Sequence, residues 1–243
     1  MKLQGKTAVI TGGGTGIGEG IARAFAAEGC RVVICGRRDE VLKQAANAWD
    51  GDPPFLCHAV DISSRDSVSS LFAWVASEVG PVDILVNSAG TNIKTRSMAE
   101  MEPDQWDHVM AINASGTYYC MHAVLPQMRE RGEGLIINIS SIAGKRSSPL
   151  GGVAYSASKF AMTALGTAVA NEDAEHGIRV TNVYPGEVNT PILVNRPNPV
   201  SEEHRQSILQ AEEVGELIAA IAGLPPNAHV SDVVIKPLKQ PYS

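Results

Sequence analysis

The chain has 243 residues, 44% of them hydrophobic, which is enough to bury the core of one α/β domain. Its net charge is −6 and it contains no run of lysines and arginines, which argues against a nucleic-acid-binding surface and favours small molecules or other subunits as partners. No apolar stretch approaches the roughly 18 residues that cross a bilayer and no signal-peptide core follows Met1, so we expect a cytoplasmic protein without a membrane partner.

The first predicted strand, residues 7–11, runs into a glycine-rich turn that a helical pattern follows. Glycines let the backbone approach a pyrophosphate, and a helix N-terminus offers unpaired N–H groups and a positive dipole end. A tight turn that merely needs positive φ is the alternative, but the order of strand, turn and helix favours a nucleotide site. The residues of this candidate site are Gly12, Gly14, Thr15, Gly16, Ile17 and Gly18.

The second predicted strand, residues 31–35, leads to Gly36, Arg37 and Arg38. A carboxylate at this place binds the ribose hydroxyls of NAD, whereas an arginine clasps the 2′-phosphate of NADP. The sequence therefore predicts that NADP(H) is preferred over NAD(H), with two solvated surface arginines as the alternative. Asp39 is predicted to be the N-cap of the next helix.

Two further strands, residues 55–60 and 82–86, each end in polar or small residues. Asp61 and Ile62 follow the first of them. Asp61 could contact a cofactor or cap the helix that begins near residue 64, and the two roles are compatible. Small residues after the second strand would let a cofactor lie against the strand end, and an asparagine side chain there can pin the neighbouring backbone. These candidates are Asn87, Ala89 and Gly90.

A long helix is predicted over residues 103–128, beginning at a proline suited to a first turn. It contains Asn113, a polar amide that is unfavourable there unless it has a partner or a task. A core asparagine satisfied by backbone is the alternative to a functional residue.

The fifth predicted strand, residues 135–139, delivers Ser140 and Ser141, and the next helix carries Tyr155 and Lys159. Residues four apart on a helix lie one above the other, so an ammonium comes within electrostatic reach of a phenol and is expected to lower its pKa. A catalytic acid works best when its pKa approaches the working pH. The alternative is an amphipathic helix with a surface tyrosine and lysine.

A sixth strand, residues 178–183, is followed by a loop that contains Pro185, Gly186, Val188 and Thr190. Residues 191–210 are rich in proline and charge and are predicted to form a mobile flap over the substrate. A final amphipathic helix and a last strand, residues 230–235, complete the chain.

Taken in order, these motifs resemble those of the classical short-chain dehydrogenases/reductases over nearly the whole chain. The glycine spacing, the Asn87-Ser88-Ala89-Gly90 segment, Ser141, Tyr155 with Lys159, and the loop ending in Thr190 carry the resemblance. It implies an α/β fold, a single Rossmann-type domain over residues 1–243 with a doubly wound parallel sheet of about seven strands. The ending, residues 224–242, is similar to that of serine and 3-hydroxy acid dehydrogenases.

The resemblance also implies roles. Ser141, rather than Ser140, hydrogen-bonds the substrate oxygen; Tyr155 donates a proton as hydride arrives; and Lys159 lowers the pKa of that tyrosine and binds the nicotinamide ribose. Asn113 interrupts its helix and holds a water that links the lysine to solvent.

On the cofactor side, the resemblance implies that Asp61 touches the adenine amino group and that Ile62 packs on the ring. It also implies that the loop with Pro185, Gly186 and Val188 lies at the nicotinamide, where Thr190 fixes the carboxamide. The chain departs from the family pattern in three places. Thr15 stands where some NADP enzymes have a basic residue, Ser88 replaces an asparagine, and Tyr155 follows Ser141 by 14 positions, about one more than usual.

We therefore predict an oxidoreductase acting on a small carbonyl or secondary alcohol, with no metal site, that assembles as a homotetramer or homodimer. Basic residues on loops expected to rim the crevice leave two interpretations open: a substrate with a carboxylate or phosphate, such as a 3-oxo or 3-hydroxy acid, or solvated loop charges. A non-catalytic NADPH-binding regulator and a nicotinamide-recycling isomerase or dehydratase are the other functions considered. The basic residues are Lys94, Arg96, Lys145, Arg146 and Arg196.

Overall fold

The structure is a computed structural model that describes residues 1–240. Strands and helices alternate along this part of the chain. The strands are β1 (Thr7–Thr11), β2 (Arg31–Gly36), β3 (Leu56–Ala59), β4 (Ile84–Asn87), β5 (Gly134–Ile139), β6 (Ile178–Pro185) and β7 (Asp232–Ile235). The α-helices are α1 (Gly16–Ala27), α2 (Asp39–Asn47), α3 (Arg65–Glu78), α4 (Pro103–Met110), α5 (Gly116–Arg131), α6 (Val153–Asp173), α7 (Glu202–Ser207) and α8 (Ala211–Ala222).

The seven strands form one sheet in the order β3-β2-β1-β4-β5-β6-β7, and every pair of neighbours is parallel. The direction of strand addition reverses between β1 and β4. In such a sheet, ligands bind at the carboxyl ends of the strands beside the reversal point. The predicted doubly wound parallel sheet is therefore confirmed.

Two hydrophobic layers cover the faces of the sheet. Residues of β1 alternate between them, because successive strand side chains point to opposite faces: Ile10 lies in the layer with Phe25, and Val9 lies in the layer with Leu71. β1 is buried along its whole length, as expected for a central parallel strand.

The long helix predicted over residues 103–128 is interrupted at its middle. α4 passes through one π-helical turn, Ala111–Ser115, in which the Gly116 N–H bonds the Ala111 carbonyl, and then continues as α5. Asn113 lies at the centre of this turn. π turns inside helices are frequent at functional sites.

Neither aspartate proposed as a helix cap is one. Asp39 is the first residue of α2 and forms an ion pair with Lys43, while Arg38 holds the cap position. Ser64 caps α3 by accepting a hydrogen bond from the Ser67 N–H at 3.3 Å.

Residues 191–210 contain more regular structure than the sequence predicts. A 3₁₀ turn, Pro191–Asn195, and the short helix α7 both lie in this segment. Within the described residues, no helix combines the length and apolarity that spanning a membrane requires. Tyr242, at the end of the segment compared with serine and 3-hydroxy acid dehydrogenases, lies outside the described residues.

Candidate active site

The glycine turn between β1 and α1 is tightly closed. Gly12 has φ +67°, donates a 2.8 Å hydrogen bond to the Cys35 carbonyl, and lies so close to Ala89 that a Cβ would come within 2.8 Å of its Cα. Gly18 packs on the Gly12 carbonyl, so a side chain there would push the turn open. The turn thus needs glycine because backbone meets backbone at both positions.

A crevice runs along the carboxyl ends of β1, β2 and β4. Of the residues predicted to bind the cofactor, Gly12, Gly14, Thr15, Arg37, Arg38, Asp61, Ile62, Ala89 and Gly90 line it. The predicted Gly16, Ile17 and Gly18 form the first turn of α1 beside it, at the positive end of the helix dipole. The crevice therefore adjoins both the glycine turn and the end of β2.

Arg37 and Arg38 follow β2, and both side chains are exposed. A Cβ at Gly36 would meet only the Leu42 Cδ2 atom, at an ordinary 3.9 Å, so the strand end leaves space beside the arginines. Across the crevice, Asp61 accepts hydrogen bonds from the N–H and hydroxyl of Ser63. These bonds and the charge of Arg37 hold the pKa of Asp61 below its ordinary value, although burial acts in the opposite direction.

The backbone after β4 is held by Thr11 rather than by Asn87. The Thr11 hydroxyl accepts hydrogen bonds from the N–H groups of Ser88 and Ala89, both at 3.1 Å. Asn87 instead donates a 2.9 Å hydrogen bond to Asn138 on the neighbouring strand. The prediction that Asn87 pins its neighbouring backbone is therefore wrong, because its side-chain amide bonds Asn138 instead.

Asn113 is fully buried and joins two segments near the crevice. Its amide accepts a 2.8 Å hydrogen bond from the Thr91 N–H and donates 2.9 Å bonds to the Thr91 carbonyl and the Ser158 hydroxyl. A Cβ at Gly90 would stand 3.5 Å from both Asn113 Oδ1 and Lys159 Nζ. Gly90 thus keeps open a small space between the amide and the ammonium.

The predicted serine, tyrosine and lysine meet at the carboxyl end of β5. Ser141 follows this strand and its Oγ accepts a 3.1 Å hydrogen bond from the Ala143 N–H, which leaves its O–H able to donate. Tyr155 lies in the first turn of α6, and the Nζ of Lys159 is 5.7 Å from the centre of its ring. Lys159 is buried and donates a 2.8 Å hydrogen bond to the Ile139 carbonyl.

The pKa of Tyr155 is raised, not lowered as the four-residue spacing predicts. Burial is the largest cause, and the Ser141 hydroxyl and the charge of Arg96 act against it. Burial also lowers the pKa of Lys159 from 10.5 to about 7. Desolvation therefore raises the pKa of the phenol and lowers that of the ammonium.

The loop after β6 lies against the glycine turn. Thr190 is buried, its hydroxyl is 3.5 Å from the Val188 carbonyl, and a Cβ at Gly16 would come within 3.0 Å of it. Gly186 packs on Lys236 and Gln240, and the Gln240 side chain accepts a 2.9 Å hydrogen bond from the Glu187 N–H. The loop is thus held between α1 and the end of the described chain.

The five basic loop residues have different surroundings. Lys145 forms a 2.7 Å ion pair with Asp232 and lies over the ring of Tyr184, and Arg196 pairs with Glu187 at 2.9 Å. Lys94 is exposed. Arg96 is bonded to two backbone carbonyls, and Arg146 interacts within the protein.

Thr11, Thr91 and Ser158 shape the site but were not predicted from the sequence. Thr11 ends a strand directly before the glycine turn, and Ser158 is a polar residue immediately before Lys159 on a helix. A polar residue at either position is a sequence signal that could have indicated a role in the site. Their partners lie in distant segments, which only the fold brings together.

The sequence matches the family model described as short chain dehydrogenase over residues 6–200. An uncharacterised oxidoreductase from Staphylococcus aureus (strain USA300) is 32% identical over 239 residues, which cover 97% of this chain and 99% of that protein.

Two solved structures share the fold over nearly their whole length. A 3-ketoacyl-(acyl-carrier-protein) reductase from Brucella melitensis, complexed with NADH, is 31% identical with a TM-score of 0.88, covering 98% of this chain and 99% of that one. The closed form of serine dehydrogenase, complexed with NADP⁺, is 27% identical with a TM-score of 0.89, covering 98% of this chain and 97% of that one.

Proposed function

The chain belongs to the short-chain dehydrogenase family, and from this premise we propose that it transfers hydride between NADP(H) and a small carbonyl or secondary alcohol. As an oxidoreductase of this family it acts on CH–OH or C=O groups and binds a nicotinamide cofactor. The single observation that carries the proposed chemistry is the meeting of Ser141, Tyr155 and Lys159 beside the crevice at the carboxyl end of β5.

The residues around the crevice fit a dinucleotide. Gly12 and Gly18 give the turn between β1 and α1 the close backbone packing that a pyrophosphate site needs. Asp61 and Ile62 would hold the adenine, while Val188 and Thr190, with Pro185 and Gly186 behind them, would hold the carboxamide end. When bound, the cofactor supplies or accepts hydride at its nicotinamide ring, which no amino-acid side chain can do.

The preference for NADP(H) is supported by the end of β2. Within residues 1–240, no carboxylate forms an ion pair with Arg37 or Arg38, so their guanidinium groups are available to a 2′-phosphate. Gly36 places no carboxylate where it would repel that phosphate.

Ser141 and Tyr155 manage the substrate oxygen in this proposal. With its oxygen engaged by the Ala143 N–H, the Ser141 hydroxyl donates to the carbonyl oxygen of the substrate. Tyr155 gives its proton to the same oxygen in reduction and takes it back in oxidation. Lys159 binds the ribose hydroxyls and supplies positive charge that offsets the burial of the phenol.

Asn113 organises the proton path behind Tyr155. Because Gly90 leaves space between Asn113 Oδ1 and Lys159 Nζ, a relay water would fit between the two groups. The π turn fixes the amide there through its bonds to Thr91 and Ser158.

We further propose an acidic substrate, such as a 3-oxo or 3-hydroxy acid, and a flap formed by residues 191–210 within a single domain. Serine dehydrogenase, a relative in structure, is named for an amino acid with a carboxylate and a 3-hydroxyl. Exposed Tyr118 on α5 and Phe160 on α6 support assembly as a homodimer or homotetramer through these helices.

A panel of ketones, aldehydes and oxo acids, assayed with NADPH and NADH in parallel, tests the proposed function. We expect substrate-dependent consumption of NADPH with a higher kcat/KM than for NADH. A protein that binds NADPH but consumes none with any member of the panel would not be this enzyme.

A further inference from the structure

The Arg96 side chain joins three loops at the rim of the site. Arg96 lies in the loop after β4; its Nη1 donates a 2.9 Å hydrogen bond to the Gly151 carbonyl, and its Nη2 donates a 2.8 Å bond to the Asn195 carbonyl. Gly151 precedes α6, and Asn195 belongs to the flap. The guanidinium therefore bonds both the loop that leads into the helix of Tyr155 and the flap.

This cation has no anionic partner in the described part of the chain. Of the other basic loop residues, Arg196 is neutralised by Glu187 and Lys145 by Asp232. No carboxylate among residues 1–240 lies within ion-pair distance of Arg96. A half-buried guanidinium paired only with neutral carbonyls retains its full charge.

One donor of this guanidinium is also unused. The Nε atom of Arg96 is shielded from solvent and has no hydrogen-bond partner. Buried donors in proteins are almost always satisfied, so an orphan of this kind calls for an explanation. The Nε–H is thus a donor of this guanidinium that a substrate acceptor can satisfy once it enters the site.

Arg96 packs against the segment that leads into the helix of Tyr155. The Arg96 carbonyl accepts a 3.1 Å hydrogen bond from the Val153 N–H, two residues before Tyr155. Gly152, with φ +79°, packs so closely on Arg96 that a Cβ would stand 2.9 Å from its Cδ. Burial lowers the pKa of Arg96, and the opposing influence of Tyr155 places the two side chains within electrostatic reach.

We propose that Arg96 is the specificity-determining residue that binds a carboxylate of the substrate, through Nε–H and a remaining N–H of the same guanidinium. The edge of a guanidinium matches the two oxygens of a carboxylate, which a lysine cannot do. This inference rests on the proposed function and names its substrate class. Since Nη2 also bonds the Asn195 carbonyl, the same side chain would hold both the carboxylate and the flap.

The test compares a hydroxy acid with its neutral ester. Oxidation of 3-hydroxybutanoate and methyl 3-hydroxybutanoate by NADP⁺ is measured for the wild type, Arg96→Gln, Arg96→Lys and the control Lys94→Gln. Lys94→Gln removes the same charge from an exposed position on the same loop. We expect the wild type to prefer the acid in kcat/KM by tenfold or more, the range of a charged hydrogen bond.

Arg96→Gln should reduce that preference at least about tenfold, mainly through KM for the acid. Lys94→Gln should keep the wild-type ratio. Thermal melting shows whether Arg96→Gln folds. If it does not, the test rests on Arg96→Lys, whose ratio of kcat/KM for acid over ester should lie between the wild-type ratio and one.

Equal losses for acid and ester in the Arg96 variants would make Arg96 a purely structural bridge and overturn the inference. So would a wild type that oxidises acid and ester equally, although the proposed function would then survive. Failure of the proposed function looks different, because the wild type would turn over neither compound nor any carbonyl of the panel.

Discussion

Lys159 and Ile139 are joined by a 2.8 Å hydrogen bond from the ammonium to the backbone carbonyl at the end of β5. This bond ties the helix that carries Tyr155 to the strand that delivers Ser141. The ammonium is buried at this position, and burial lowers its pKa from 10.5 to about 7. The proposed catalytic lysine is thus positioned at a cost that depends on pH.

Burial of Lys159 therefore makes the free energy of unfolding of the cofactor-free protein depend on pH in a definite direction. Because its pKa is lower in the folded protein than in the unfolded chain, unfolding takes up a proton between about pH 7 and 10.5. Raising the pH through this window therefore favours the folded state. In Lys159→Met this proton uptake is absent. The Tm of the wild type should therefore rise relative to the Tm of Lys159→Met as the pH increases.

The measurement is the Tm of both proteins without cofactor, from pH 6.5 to 10. Lys94→Met, which removes an exposed lysine, should run parallel to the wild type. Parallel curves for Lys159→Met as well would show that burial does not perturb Lys159.

The cofactor preference should follow the residues at the end of β2. Arg37→Gln should lower kcat/KM for NADPH by at least about tenfold, the effect of one charge-assisted hydrogen bond, and change that for NADH by less than about threefold. Gly36→Asp should move the preference towards NADH, since a Cβ there meets only Leu42 at 3.9 Å and the new carboxylate opposes a phosphate.

Gly36→Ala is the matched control, because it adds the Cβ without the charge and should keep the NADPH preference. Steady-state kinetics with NADPH and NADH measure the cofactor preference of each variant. An Arg37→Gln variant that loses NADH and NADPH activity equally would argue against phosphate recognition at this strand end.

The flap should depend on Glu187. Its carboxylate pairs with Arg196 at 2.9 Å and with His204 at 2.7 Å, both in residues 191–210. Burial raises the pKa of Glu187, but its bonds to His204 and Arg196 outweigh burial and bring the pKa below its ordinary value. The stabilisation is therefore present above the unfolded pKa and is lost as the pH falls.

Glu187→Gln should speed amide hydrogen exchange across residues 191–207 by about tenfold and leave β5 unchanged, because only the flap loses its ion pairs. Glu203→Gln, an exposed carboxylate of α7, serves as the control. Unaltered exchange in the flap of Glu187→Gln would mean that other contacts hold it.

The sheet and the position of the site could be predicted from the sequence because their signals are local. Buried strands appear as apolar runs, and glycines mark the turn after β1. Three contacts could not be predicted, since each joins distant segments. They are the hydrogen bond between Thr11 and Ala89, the one between Asn113 and Ser158, and the bridge made by Arg96.

The pKa of Tyr155 shows the same limit. Spacing places Lys159 one turn away and predicts a lowered pKa, but burial, which no spacing reveals, raises it. One helix start also differs by a residue: Asp39 is the first residue of α2, where it pairs with Lys43, and Arg38 holds the cap position.

The proton transfer proposed for Tyr155 is tested most directly by single-turnover oxidation of bound NADPH with the best carbonyl of the panel. Tyr155→Phe keeps the ring and removes the hydroxyl, so the rate should fall at least about a hundredfold, the lower end for a lost general acid. The Kd for NADPH should stay within a few fold of the wild type. A Tyr155→Phe protein that oxidises NADPH as fast as the wild type would contradict the assignment.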